Sequence, residues 1–157
     1  MDMQLTWEDI VLRLVAATLL CGILGIERQI HGKPVGFRTN ALVGLGAAIM
    51  TVSGVLVAGS NGAFVDVTRL ASIVVQGIGF IGAGVIIQSR GEVRGLTTAA
   101  TMWAAAGVGI ACGFGLWIVA IVASILILFL LVVLRRYDLE AEAAEEGKSR
   151  IRFFKRK

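Results

Sequence analysis

From residue 99 to residue 134 the chain carries about 36 consecutive residues without a charged side chain. As one helix rising roughly 1.5 Å per residue, that run would exceed about 50 Å, whereas the hydrocarbon core of a bilayer is only roughly 30 Å thick. Tilting does not hide the difference. Gly113 and Gly115 flank Phe114 at the midpoint, so the run is expected to fold back as a helical hairpin. Its arms are about residues 99–112, rich in alanine and glycine, and 116–134, bulky, aliphatic and expected to face lipid.

Three further apolar runs lie upstream, at about residues 10–26, 41–58 and 70–87. Each is long enough to approach a bilayer crossing as a helix. Hydrophobic residues make up 57% of the 157-residue chain and charged ones 17%, with the charges clustered between the runs. The expected fold is an all-α integral membrane protein of five transmembrane helices, with no room for a separate soluble catalytic domain. The membrane part would cover residues 1–134 and a charged tail residues 135–157.

Gly77, Gly79, Gly82 and Gly84 match a GxGxxG spacing. A dinucleotide fingerprint needs a strand before the glycines, an amphipathic helix after them and an acidic residue about 20 positions on. Here they sit inside an apolar run. In lipid, small residues let helix backbones approach closely, so Gly77, Gly79, Gly82, Ala83 and Gly84 are read as a packing seam. Gly44 with Ala48, and Gly107 with Ala111, repeat the pattern on neighbouring runs.

Basic residues orient the spans. With five spans and the N-terminus outside, the inner segments hold Arg28, Lys33 and Arg38, then Arg90 and Arg94, then eight in the tail from Arg135 onward, thirteen of the fifteen Lys and Arg. Such a bias favours an outside N-terminus and a cytoplasmic C-terminus. It also explains the net charge of +4 without invoking nucleic acid. The start, MDMQLTWEDI, is acidic where a signal peptide is basic, so the first run is expected to be a retained span with Trp7 at the interface. Asp9 and Arg13, spaced i, i+4, can pair on its first turn; Arg13 can instead snorkel to the headgroups. The tail joins an acidic stretch to cations set around Ile151, Phe153 and Phe154, which suits either an anionic leaflet or a disordered topology anchor.

No catalytic constellation is present. The single histidine, His31, lacks a nucleophile at diagnostic spacing; Cys21 and Cys112 fall inside spans; no metal-ligand cluster appears, and no cofactor is expected. Glu27, Arg28, Arg38, Thr39, Asn40, Arg94, Thr97 and Thr98 gather instead at the inner boundary. Thr39 or Asn40 can cap the second span by accepting backbone N–H bonds, and Thr97 and Thr98 begin the fourth. Helix N-termini beside arginines suit anions such as phosphate or lipid headgroups. Gln76 is the strongly polar group inside the third span and needs a partner in lipid. Asp66 and Arg69 lie in the polar connection before it.

Four blocks carry a family resemblance: GIERQ at residues 25–29, GKPVGFRTNALV at 32–43, QGIGFIGAGVI at 76–86 and VRGLTTAATMW at 93–103. In this order they resemble the MgtC/SapB family of bacterial inner-membrane proteins, which includes YhiD-like members. The resemblance spans about residues 10–134 and implies a multi-pass, five-span domain. It also implies adaptation to low magnesium or acid stress, with virulence and control of membrane energetics in some members. Many members carry a soluble C-terminal domain, where here a charged tail is expected to follow Leu134. The connection before the third span usually has proline after the aspartate, and this chain has Val67. A non-enzymatic protein that associates with itself or a larger membrane complex is the leading expectation, with membrane lipids as further partners. A small magnesium or proton transporter or channel is the alternative, although the spans carry almost no carboxylate at mid-depth.

Overall fold

The computed structural model describes residues 5–61, 66–89 and 92–133. The expected tail at 135–157 and Arg90 lie outside them. Among the described residues five helices follow one another: α1 Trp7–Ile30, α2 Phe37–Asn61, α3 Val67–Val85, α4 Leu96–Phe114 and α5 Trp117–Val133. In a bilayer, each spanning segment must satisfy its own backbone, and a helix does so alone. Helices α1, α2 and α4 are long and apolar enough to cross a membrane, while the apolar parts of α3 (Arg69–Val85) and α5 (Trp117–Val133) are shorter.

The connection between α3 and α4, expected as a loop, is partly a β-hairpin. Strands β1 (Ile87–Ser89) and β2 (Glu92–Arg94) pair antiparallel, Gln88 opposite Val93. Helix α3 therefore stops before the end of its apolar run. Gly95 leads from β2 into α4 at φ +90°, and a Cβ there would meet the Val85 carbonyl oxygen; only glycine combines that φ with that approach.

The core is built from small side chains. Ala17, Cys21 and Leu24 of α1, Ala48 of α2, and Ala105, Val108, Ala111 and Cys112 of α4 share one buried cluster with Ala120 of α5. Where α1, α2 and α4 cross, a Cβ on Gly44 would strike the Cys21 side chain, and one on Gly109 would strike the Gly44 carbonyl oxygen. The Cys21 thiol donates to the Ala105 carbonyl at 3.2 Å. Buried hydroxyls turn back onto their own helices: Thr51 donates to Ala47 O at 2.8 Å, Thr101 to Thr97 O at 2.7 Å and Ser124 to Ala120 O at 2.7 Å. These three hydroxyl hydrogens thereby meet an acceptor rather than an apolar interior. Helix α5 is not wholly lipid-facing, because Ala120 and Ser124 are buried and Ala123, Ile127 and Leu128 pack on the core.

The Asp9–Arg13 pair does not form. Asp9 closes a capping box instead: Thr6 Oγ1 accepts from the Asp9 N–H at 3.2 Å, and the Asp9 carboxylate accepts from the Thr6 N–H at 3.1 Å. That satisfies orphan donors of the first turn. Arg13 turns inward and donates from Nη1 to the Gly113 carbonyl oxygen at 2.8 Å. Carbonyls in the last turn of a helix lack partners, so Arg13 caps the C-terminus of α4.

The glycine turn lies where the length argument places it. Gly115 adopts φ +74°, its N–H reaches Cys112 O at 2.9 Å, and the Leu116 N–H reaches Ala111 O at 2.8 Å, a Schellman closure. A Cβ on Gly115 would come within 2.8 Å of the Arg13 guanidinium. Gly115→Ala is expected to cost about 1–2 kcal/mol from the left-handed backbone alone. Thermal unfolding in detergent checks this, and an unchanged midpoint would show the turn to be unimportant for stability.

Candidate functional site at one end of the bundle

The end of α1, the loop after it, the start of α2 and the start of α4 meet at one end of the bundle. Helix α1 approaches the loop without a side chain between them: a Cβ on Gly25 would lie 2.5 Å from the Gly36 carbonyl oxygen and 2.8 Å from Phe37 Cα. Beside it, Gln29 accepts from the Phe37 N–H at 3.3 Å, which satisfies a first-turn donor of α2 from outside the helix. The turn is strained. Val35 has φ +65°, a genuine outlier for a β-branched residue.

Asn40 holds that turn. It is fully buried, and its carboxamide nitrogen donates to both Val35 O and Gly36 O at 3.2 Å. The expectation that Thr39 or Asn40 would be an N-cap acceptor is thereby corrected, since α2 begins at Phe37 and Asn40 lies inside the first turn as a donor. Likewise Thr97 and Thr98 fall in the first turn of α4, which Gly95 precedes.

The Arg28 cation crosses the bundle at this level. Arg28 is 7% exposed and donates from Nη2 to Thr98 Oγ1 at 2.6 Å, tying α1 to α4. The adjacent Glu27 faces His31, with Oε1 3.0 Å from Nδ1. Its second oxygen, Oε2, and Asn40 Oδ1 are enclosed acceptors with no hydrogen-bond donor among the described residues. Arg38, Thr39, Arg94 and Thr97 point to the surface. Thus Arg28 and Thr98 come together, Glu27 precedes Arg28 on α1, Asn40 is buried against the Val35–Gly36 turn, and the other four are exposed.

The remaining polar positions lie elsewhere. Asp66 caps the start of α3, accepting from the Arg69 N–H at 3.3 Å, at the opposite end of the bundle. Gln76 sits at the middle of α3 and is exposed. Of the proposed packing residues, Gly44, Ala48 and Ala111 lie in the three-helix core, and Gly82 faces Ala99 of α4 at contact distance. Within the chain, Gly77, Gly79, Gly84 and Gly107 meet nothing within 4 Å, and Ala83 is exposed. Sequence reasoning missed what Gln29 and Arg13 bind, and also that Gly25, Gly109 and Gly113 are the glycines at the real crossings. Gln29 had a signal, one turn after Gly25 and just before the Gly32–Pro34 break. Arg13 had none, its partner being 100 residues away.

A profile of the MgtC family matches residues 14–139, most of the chain. The chain belongs to the MgtC family. It is 42% identical over 135 residues to Protein MgtC of Salmonella typhimurium strain LT2, covering 86% of this chain and 56% of that protein. To Protein MgtC of Brucella suis biovar 1 it is 46% identical over 122 residues, covering 78% of this chain and 50% of that protein. The chain therefore spans about half the length of the curated relatives it matches. No solved structure matches it. For this MgtC-family chain, the matched region contains the whole polar end of the bundle, from Glu27 to Thr98, together with α3 and its glycines.

Proposed function

We propose that this MgtC-family chain is a non-enzymatic, multi-pass protein of the bacterial inner membrane that modulates magnesium or acid-stress homeostasis and membrane energetics by associating with itself or with a larger membrane complex. In this reading all five helices span, with the N-terminus outside, and the polar end of the bundle faces the cytoplasm. The observation that carries the association is the outer face of α3. Ser72, Gln76, Gly79 and Ala83 recur at helical spacing on one stripe, all exposed, and Gln76 makes no hydrogen bond among the described residues. A carboxamide at mid-helix is poorly placed against lipid tails, while the flanking glycine and alanine leave room for another backbone.

The combined Gln76→Leu, Gly79→Leu variant should lose association, read by crosslinking in native membranes, and fail to restore growth in limiting magnesium. Unchanged crosslinking and growth would overturn the reading. A second reading, a small magnesium or proton transporter or channel, is favoured by the two enclosed acceptors, Glu27 Oε2 and Asn40 Oδ1. Flux in proteoliposomes separates the two, because a modulator alone gives none.

A further inference from the structure

The outer junction of α1 and α2 holds a groove that the association through α3 does not use. It is an open groove of about 480 Å³, lined by Ile26, Gln29, Ile30, Phe37 and Arg38. Its walls are graded. Ile26 lies one turn deeper in α1 than Ile30, and these two with Phe37 are 41%, 73% and 37% exposed. The polar groups, Gln29 and Arg38, share the end level with the α1–α2 loop. Gln29 uses its oxygen on the Phe37 N–H, which leaves its carboxamide nitrogen as a donor. Arg38 is exposed and makes no ion pair or side-chain hydrogen bond among the described residues.

An apolar trough that runs from the depth of a spanning helix to a lone guanidinium at its end matches an amphipathic anion. A free phosphate would use Arg38 but leave the isoleucines and Phe37 without purpose. A zwitterionic lipid would bring its own cation to a groove that has no carboxylate in its lining. We propose that this groove seats an anionic phospholipid, its phosphodiester at Arg38 and Gln29 and its first acyl carbons against Ile26, Ile30 and Phe37. Arginine suits the role because its planar fork matches two phosphate oxygens at once. The proposal needs only that α1 and α2 lie in a membrane, so it stands or falls separately from association through α3.

The test uses the full chain in phosphatidylcholine nanodiscs with and without phosphatidylglycerol, with retained lipid read by native mass spectrometry after release. Wild type is expected to retain phosphatidylglycerol in preference to phosphatidylcholine. Arg38→Gln should weaken that preference about fivefold, the ratio to which about 1 kcal/mol per surface cation corresponds. Ile30→Ser, at a highly exposed position, should reduce retention of both lipids; Arg69→Gln, at the other end of the bundle, should leave the preference intact. Excess inorganic phosphate should not displace the lipid. Equal retention of the two lipids, an unaltered preference in Arg38→Gln, or displacement by inorganic phosphate would each overturn the proposal.

Discussion

Gly109→Val is expected to abolish accumulation of folded protein. At this crossing a Cβ would meet Gly44 O of α2 together with Gly44 Cα and Ala47 Cβ, both at 2.9 Å. The obstacles are backbone and a rigid methyl, so no rotamer change relieves them. Separating the helices would also break the crossing at Gly44 and Cys21 on which α1 packs. Overpacking a core typically costs about 1–3 kcal/mol and occasionally more; an obstacle made of the α2 main chain and a rigid methyl places Gly109→Val at or above the top of that range. Gly107, two residues earlier on the same helix, meets nothing within 4 Å. Gly107→Ala should be neutral or stabilising, by up to about 0.5–1 kcal/mol, since it removes a flexible residue from a helix interior. Fluorescence-detected size exclusion of tagged variants measures both. If Gly109→Val and Gly107→Ala gave equal monodisperse peaks, the three-helix crossing would be wrong.

Thr98→Val is expected to cost about 1.5–3 kcal/mol, the range for a hydrogen bond to a charged group. Valine keeps the shape of threonine but offers no acceptor to Arg28 Nη2, which donates to Thr98 Oγ1 at 2.6 Å. With Arg28 only 7% exposed, water cannot readily replace the lost partner. Thr98→Ser keeps the oxygen and should recover most of the loss, which separates the hydrogen bond from packing of the methyl group. Thermal unfolding of the purified variants in one detergent decides it. Equal midpoints for the valine and serine variants would mean that Arg28 is satisfied without Thr98.

The polar end of the bundle was legible in part. Glu27, Arg28, Asn40 and Thr98 stand out because charged, amide and hydroxyl groups need partners at the edge of an apolar run. Their pairing was not legible, because a donor on α1 and its acceptor on α4 are 70 residues apart. Asn40 shows the limit most clearly: its position suggested a cap that accepts, whereas the left-handed turn at Val35 makes its nitrogen the useful atom. The α3–α4 hairpin was also missed, since two three-residue strands carry too little periodicity to separate from a polar loop.

The sequence by itself determined about where the five helices of the described residues lie and that the long run from 99 to 134 turns back between Gly113 and Gly115; the structure puts the turn at Gly115. Lipid supplies no hydrogen-bond partners, so the length of an apolar run nearly dictates a helix and its end. Only the tertiary structure decided which glycines are crossings and which are open, that Arg13 caps α4, and that α5 contributes one face to the core. A helix apolar on every side carries no pattern to mark its inner face. That face is set by which neighbours can approach, as Gly44 and Gly109 do and Gly79 within the chain does not.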